Sequence, residues 1–395
     1  MSVLKERAMK FAKEVVEGNL PEEDFIERAK ILEAMRSFKK KDHDSALSEL
    51  LSEENALLRR VAGSNINTTE LKIIETATAL LEKSKELRTE YNKITTSKVD
   101  TNLLTGAPFF VGGSRKELAK ARQEEATPSI AFEQGGIRKI TYYNAKGRLL
   151  NIHDAKILIA LFDMWEKQGK EDWLTFSEYQ LLLSNNMGTG GEQYRILRNS
   201  LNKLRDTSII LQEAYDVTSG TKIKTTRFPL IMAETFEEIH DKKGKVHSKT
   251  HKIQFSPYIY KSMKYGYYSF VSLPLSDEID TNAARAIYFM ICGISSMDGK
   301  EDYIKEDGRI YEIPVEDVYN QLKLENPRPT RNKKVVKDAC DELVVNEILK
   351  TFYFTKEGKE IKTLVLEPAD WVISMMRKAK HSDVSFQNTQ LQLSI

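Results

Sequence analysis

The stretch GGEQYRILRNSLNKLRDTSII, residues 190–210, decides the fold. Leu197, Leu201 and Leu204 recur at i, i+4 and i+7, which predicts a helix over 193–205 with one face in a core. The exposed faces of this helix carry Arg, Asn and Lys, whereas its acids, Glu192 and Asp206, lie at the two ends. A helix in plain solvent usually mixes acids among its cations. The distribution therefore favours a helix that lies against phosphates and base edges.

The segments around this helix predict a winged helix-turn-helix. Helices are expected at 153–167 and from Thr175, where Thr175 and Glu178 are spaced as a capping box. After the helix at 193–205, two long strands flank the turn VTSG at 217–220. This order ends in a hairpin, the wing, and its third helix is the one that enters a DNA groove.

The same order returns further along the chain. Helices are predicted at 282–295, 313–322 and 330–349, followed by a hairpin that turns at Glu357-Gly358. Val336, Cys340 and Leu343 form a predicted buried stripe on the later third helix, as Leu197, Leu201 and Leu204 do on the earlier one. The two stripes are 139 positions apart, since 336−197, 340−201 and 343−204 all equal 139. The first helices differ by about 129, which predicts an insertion of roughly ten residues at 296–308. We expect an α+β protein with two tandem winged-helix domains preceded by an all-α N-terminal region.

The candidate DNA contacts lie on the third helices and the hairpins of this repeat. Arg can form two hydrogen bonds with guanine and Asn can form two with adenine, whereas Lys mainly neutralises phosphate. The predicted contacts of the earlier unit are Arg195, Arg198, Asn199, Asn202, Lys203, Lys222, Lys224 and Arg227. Those of the later unit are Arg328, Arg331, Asn332, Lys333, Lys334, Lys337, Lys356, Lys359 and Lys362. The charged turn at 240–252 has two interpretations, a backbone contact and a plain exposed turn.

The predicted organisation is a helical region at 1–99, a linker at 100–136, winged helices at 137–272 and 273–367, and a C-terminal helix and tail at 368–395. Ile73, Ala77, Leu80, Ser84, Leu87, Tyr91 and Ile94 follow a 4-3 spacing. Two interpretations stay open for them: a helix packed on its own domain, and an arm for self-association, which would give a homodimer.

Composition and missing motifs exclude several classes of protein. The net charge is only +2, so a nucleic-acid site must be local. With two cysteines, no apolar leader and no apolar run long enough for a bilayer, we expect a cytoplasmic chain without a membrane partner.

No P-loop occurs, and NMGTGGEQY at 186–194 is interpreted as a turn. We expect no cofactor and no metal, although His240, His247 and His251 lie close together. The aromatic run at 258–270 favours core packing over base stacking.

The repeat and the segment HKIQFSPYIYKSMKYGYYSFVSLPLSDEIDTNAARAIYFMI, residues 251–291, resemble plasmid replication initiators with two winged helices in tandem. The resemblance covers about 137–367. It implies binding to double-stranded origin repeats, local strand opening, and recruitment of host proteins such as the host initiator and the replicative helicase. It assigns base reading to Arg331, Asn332, Lys334 and Lys337, and base or phosphate contacts to Arg195, Arg198, Asn199 and Lys203. Residues 1–99 have no counterpart in it.

Three rival functions remain open beside a non-enzymatic initiator. They are a transcription regulator on the same scaffold, a nickase or primase, and a coiled-coil adaptor supported only by residues 73–94.

The last residues, QLQLSI, raise a separate hypothesis. Gln390, Leu393 and Ile395 resemble the peptide that docks on bacterial sliding clamps, and an extended tail can place such aliphatic anchors in a preformed groove. A tail without a function is the alternative.

Overall fold

In a computed structural model of the chain, the described residues are 3–18, 32, 34–35, 38–61, 68–100, 103–104, 129–134, 138–144, 146, 148, 150–185, 187–217, 220–240, 246–264, 268–295, 304–305, 309–322, 324, 329–358 and 360–374. The chain divides into two compact units, Met1–Thr95 and Thr96–Ile395.

The first unit is built from the helices α1 (Val3–Val16), α2 (Lys40–Val61) and α3 (Thr68–Ile94). Its core includes Leu4, Leu50 and Leu81, and the buried His43 places Nε2 3.0 Å from the Ser84 hydroxyl. Ala77, Leu80 and Ser84, which carry the 4-3 spacing, are buried within this unit. The packed-helix interpretation of 73–94 therefore describes this face, and the self-association arm stays a prediction.

The second unit contains two helix-and-sheet modules in succession. In chain order its elements are β1 (Ser97–Asp100), β2 (Ser129–Gln134), β3 (Arg138–Asn144), α4 (Ile152–Lys167), β4 (Leu174–Ser177), α5 (Glu178–Ser184), α6 (Gly191–Arg205), β5 (Thr207–Val217), β6 (Gly220–Pro229), β7 (Ile231–His240), β8 (Val246–Phe255), α7 (Pro257–Lys264), β9 (Tyr268–Val271), α8 (Leu273–Glu278), α9 (Asn282–Ser295), β10 (Ile304–Lys305), β11 (Ile310–Pro314), α10 (Val315–Gln321), α11 (Pro329–Val345), β12 (Leu349–Glu357) and β13 (Glu360–Pro368).

The later module is a winged helix formed by α9, β11, α10, α11 and the wing β12–β13. β13 pairs with both β12 and β11, so the wing joins the short strand that precedes the second helix of the module. Val336, Cys340 and Leu343 are fully buried along α11, as the stripe predicts. The inserted stretch between α9 and β11 carries β10, which pairs with β11.

The earlier module repeats this order in α4, β4, α5 and α6, but its wing differs from the predicted one. The strand that pairs with β4 is β8, and β8 pairs with β7, so β7–β8 is the counterpart of β12–β13. The predicted wing, β5–β6, is an additional hairpin in the sheet β2-β3-β5-β6. Alternating side chains predict that a hairpin forms, but not which distant strand it joins.

Two further strands lie outside the predicted boundaries. β2 falls in the predicted linker and pairs with β3. β1 pairs with β9, which follows the earlier module and precedes the later one. Lys98 of β1 also bonds Glu166 of α4 at 2.8 Å, and Val99 is buried. The second unit therefore includes chain that the sequence assigned to the N-terminal region.

Reciprocal side-chain caps begin the first two helices of the earlier module. Ser177, and not Thr175, caps α5, because its hydroxyl accepts from the Gln180 amide while the Gln180 side chain accepts from the Ser177 amide. Asn151 caps α4 in the same reciprocal way with Asp154. The predicted capping box of Thr175 and Glu178 is therefore wrong, and the Glu178 side chain makes other contacts.

The described residues of the aromatic run at 258–270 pack inside the unit, in agreement with the core interpretation. The Tyr258 ring stacks on Phe228 at 4.2 Å, and Tyr268 and Phe270 are buried. Within the described ranges, no helix has the length and apolar character needed to cross a membrane.

Candidate nucleic-acid interface

The exposed side of α11 presents cations near its first turns. Arg331, Lys334 and Lys337 are exposed and follow one another at intervals of three residues, so they lie on one face of the helix, away from the buried stripe. Arg331 and Lys334 are exposed and form no ion pair with any described residue. Lys337 bonds Asp341 at 2.6 Å, and this hydrogen bond raises the pKa of the Lys337 ammonium. Because that pair is exposed, it holds the ammonium only weakly.

Two other predicted contacts of α11 turn away from this face. Asn332 is buried, and its Nδ2 donates to the carbonyl of Leu324 at 2.9 Å. The Lys333 ammonium lies 5.3 Å from the centroid of the Phe354 ring on β12. Asn332 lies four residues before Val336 and therefore continues the buried stripe. The prediction that Asn332 reads a base is not supported by this geometry.

The wing beside α11 turns at Gly358, whose φ is +61°. Lys356 is exposed at the end of β12, and Lys362 bonds Glu360 at 3.0 Å. Arg328 and Lys359 lie outside the described residues. The described part of the wing therefore offers Lys356 as its cation without an ion pair.

The cations of α6 are bound to carboxylates of the same module. Arg195 bonds Glu192, one turn away on the exposed side of the helix. Arg198 makes a bidentate pair with Glu178, through Nε at 2.8 Å and Nη2 at 2.7 Å. Asn199 is exposed and Asn202 is partly exposed. In the repeat, Glu192 of α6 occupies the position equivalent to Arg331 of α11, since 331−192 is also 139.

Lys203 is a structural residue and does not face outward as predicted. Its Nζ bonds Oδ2 of Asp154 at 2.9 Å, and the Asp154 side chain is fully buried. The same carboxylate accepts from the Ser200 hydroxyl at 2.5 Å and from the Asn151 amide at 2.8 Å. These bonds join the first turn of α4 to α6.

The repeat supports this structural role. Glu342 of α11 occupies the position equivalent to Lys203, since 342−203 is 139. Its carboxylate accepts from the Thr281 amide at 3.1 Å, at the start of α9. In both modules this position of the third helix therefore binds the N-terminal end of the first helix, through a Lys side chain in the earlier module and a Glu side chain in the later one.

A charged network surrounds Arg198. Glu178, which is buried, also bonds Nε2 of His251 at 3.3 Å, and Nδ1 of His251 lies 3.0 Å from Glu234. Arg205 of α6 bonds the other oxygen of Glu234 at 3.1 Å. Burial opposes ionisation of Glu178, but the hydrogen bonds from His251 and Arg198 outweigh it and lower its pKa to about 2. The network links β7, β8, α5 and α6.

The predicted contacts on β6 belong to the additional hairpin. Arg227 is exposed, and its guanidinium lies 4.9 Å from the centroid of the Tyr143 ring. Lys222 and Lys224 lie on the same strand, where their side chains are outside the described residues. The residues predicted to bind a sliding clamp, Gln390, Leu393 and Ile395, also lie outside the described part of the chain.

Sequence reasoning missed Asp154, Glu178 and His251. The signal for Asp154 was present, because Asn151 and Asp154 have the spacing of a capping box. His251 was weighed only as a metal ligand together with His240 and His247. Among the described residues, no group of three His, Cys, Asp or Glu side chains is arranged to hold a metal ion.

Comparison with known proteins bears on the central part of the chain. Residues 117–291 match the family described as Replication initiator protein A. The match includes β2, the earlier winged helix and most of α9, so the resemblance to replication initiators is confirmed over this stretch. No curated protein matches the chain.

Solved structures with a related arrangement include two crystal structures of domains 2 and 3 of RctB. They are 11% and 12% identical, with TM-scores of 0.45 and 0.41. The first covers 69% of this chain and 98% of its own, and the second covers 65% and 96%. The Pi initiator protein in complex with iteron DNA is 13% identical, with a TM-score of 0.27, and covers 70% of this chain and 97% of its own.

Proposed function

We propose that this chain is a non-enzymatic replication initiator that binds double-stranded repeats at an origin, opens the DNA nearby and recruits host replication proteins. The later winged helix supplies most of the base reading. The observation that carries this proposal is the difference between the two third helices. On α11, Arg331 and Lys334 are exposed without an ion pair in the described structure, whereas each Arg and Lys discussed on α6 is bound to a carboxylate.

A free cation gains more from a phosphate or a base than a paired one. Arg331 and Lys334 exchange only water and counterions for DNA, which gives affinity and a steep dependence on salt. Lys203 would have to leave a buried carboxylate unpaired, and an uncompensated buried charge is costly. The two helices therefore contribute unequally, and α11 dominates.

The test uses alanine variants of the full chain. The probe is a duplex that the wild-type protein recovers from a randomised pool of about 30-base-pair DNA. Losing a bidentate base contact at Arg331 should cost about 1–3 kcal/mol and relax specificity at one position. Losing a phosphate contact at Lys334 should weaken all sequences alike and reduce the salt slope by about one.

Arg195→Ala is the matched control, because Arg195 is an exposed cation already bound to Glu192. It should change affinity much less than either variant of α11. If Arg331→Ala and Lys334→Ala both bind as tightly as the wild type, the assignment of α11 is wrong.

Opening of the DNA separates an initiator from a transcription regulator. Permanganate should modify thymines in an AT-rich tract beside the bound repeats, and intact duplex throughout would favour the regulator. Nicked or covalently linked product from supercoiled DNA and a divalent metal would favour an enzyme. Recruitment of the host initiator and helicase is tested by co-purification on origin DNA, with an unrelated duplex as the control.

The tail is proposed as a clamp-binding peptide. A synthetic peptide of 385–395 should bind a bacterial sliding clamp at high micromolar concentration. A peptide with Gln390 and Leu393 replaced by alanine should not bind, and equal behaviour of the two peptides would end this part of the proposal.

A further inference from the structure

A buried histidine lies between two carboxylates in the earlier winged helix. Nε2 of His251 is 3.3 Å from Glu178 on α5, and Nδ1 is 3.0 Å from Glu234 on β7. An imidazole donates from both nitrogens only when it is protonated. The arrangement therefore favours an imidazolium, held between two elements that are distant in the sequence.

The surroundings of His251 define which groups respond to its charge. From β4 the Phe176 ring stacks on the imidazole at 5.3 Å, and from β7 the Phe236 ring lies at 6.4 Å. The charged groups that face it are the two carboxylates, and each of these is bound on its other side by an arginine of α6. Burial lowers the pKa of His251, but the hydrogen bonds to both carboxylates outweigh burial and raise it above its ordinary value.

Arg198 is the exposed end of this arrangement. Its Nε and Nη2 are used by Glu178, which fixes the plane of the guanidinium. The side chain is nevertheless 55% exposed, and the Nη1 donors form no hydrogen bond within the described structure. A guanidinium held along one edge can offer the other edge to a phosphate at a small cost in conformational entropy.

We propose that His251 is a positioning residue for DNA binding: its imidazolium holds the β7–β8 wing against α5 and, through Glu178, directs Arg198 toward a phosphate. This inference rests on the proposed function. The earlier module would then contact a phosphate through Arg198, and the geometry of that contact would depend on the charge of His251, which does not itself touch DNA.

Loss of that charge changes the arrangement in a defined direction. A neutral imidazole donates to one carboxylate only, and the lone pair on its other nitrogen then faces the second carboxylate. Either Glu178 or Glu234 must move, so the spacing between the wing and α6 is no longer fixed. Because the pKa of His251 is raised, its contribution is complete below the ordinary value of 6.5 and is lost as pH rises through the higher folded value.

The experiment measures the affinity of the full chain between about pH 6 and pH 9 at constant salt, with the duplex recovered by the wild type. We expect the affinity to fall about tenfold with a midpoint above 6.5, within the usual range of coupling between sites. His251→Gln should bind weakly at every pH. His153→Gln is the control, because burial lowers the pKa of His153 from its ordinary value, so a transition with a midpoint above 6.5 should persist in this variant.

A double-mutant cycle separates positioning from a general effect on folding. If His251 acts through Arg198, adding His251→Gln to Arg198→Ala should cause little further loss, whereas independent effects should add. NMR titration of the His251 ring in the wild type, with and without DNA, reports the charge directly even if the variant fails to fold.

An affinity that does not change with pH, a transition that persists in His251→Gln, or additive losses would each overturn the inference. Failure of the wild type to recover any duplex would overturn the proposed function as well.

Discussion

Replacing Lys203 by Met removes an ammonium that α6 uses to neutralise the fully buried Asp154. Asp154 would keep the Ser200 hydroxyl and the Asn151 amide as donors, but no positive partner. Breaking a buried ion pair costs about 3–5 kcal/mol. Because the Lys203 side chain is 21% exposed, we expect a smaller loss, about 2–3 kcal/mol. In a unit as large as Thr96–Ile395, that loss lowers the Tm by roughly 3–5 °C.

Lys334→Met is the matched variant, since Lys334 is exposed on α11 without an ion pair in the described structure. It should leave the Tm unchanged and weaken DNA binding with a smaller salt slope. Lys203→Met should do the reverse. The assays are calorimetric unfolding and fluorescence anisotropy at several salt concentrations.

A structural role of Lys203 is refuted if Lys203→Met keeps the wild-type Tm and reduces the salt slope by about one. That result would return Lys203 to the DNA surface, where the sequence alone placed it.

Further predictions concern single groups of the second unit. Glu342→Ala should lower the free energy of unfolding by about 1–2 kcal/mol in urea, because the Thr281 amide at the start of α9 loses its carboxylate acceptor, and Glu342→Gln should lose less. Gly358→Ala should cost about 1–2 kcal/mol, since its φ is +61°. Burial raises the pKa of the thiols of Cys292 and Cys340 to about 12, so iodoacetamide at pH 8 should modify them only after unfolding. The stabilisation from Glu178 is complete above its ordinary pKa of 4.5 and is lost as pH falls toward about 2, so Glu178→Gln should flatten this acid limb of the unfolding profile.

The third helices and their repetition could be predicted from the sequence because their order is local. Leucines or their equivalents at i, i+4 and i+7 define a buried face without knowledge of any partner. The same rule, applied one turn earlier, would have placed Asn332 on the buried face of α11. That error came from treating a run of polar residues as uniformly exposed.

The wing and the charged network could not be predicted because they depend on contacts between distant segments. β4 and β8 are separated by two helices and three strands, and nothing in the alternation of β5 and β6 shows that they join another sheet. Arg198 and Lys203 look alike in the sequence as cations of one helix. Their roles differ because Arg198 pairs with Glu178 of α5, whereas Lys203 pairs with the buried Asp154 of α4. The sequence of one helix does not show which carboxylate of another element each cation will contact.

The pairing of β1 with β9 has a consequence for synthesis of the chain. Ser97 is matched with Val271, so a strand made early waits for its partner until 174 further residues (271−97) have been added. At about 5–20 residues per second, the ribosome needs roughly 10–35 s for that interval. Throughout this time the backbone edge of β1 lacks its partner strand. The nascent chain is therefore exposed to chaperones and proteases for longest at the point where the N-terminal helices give way to the rest of the protein.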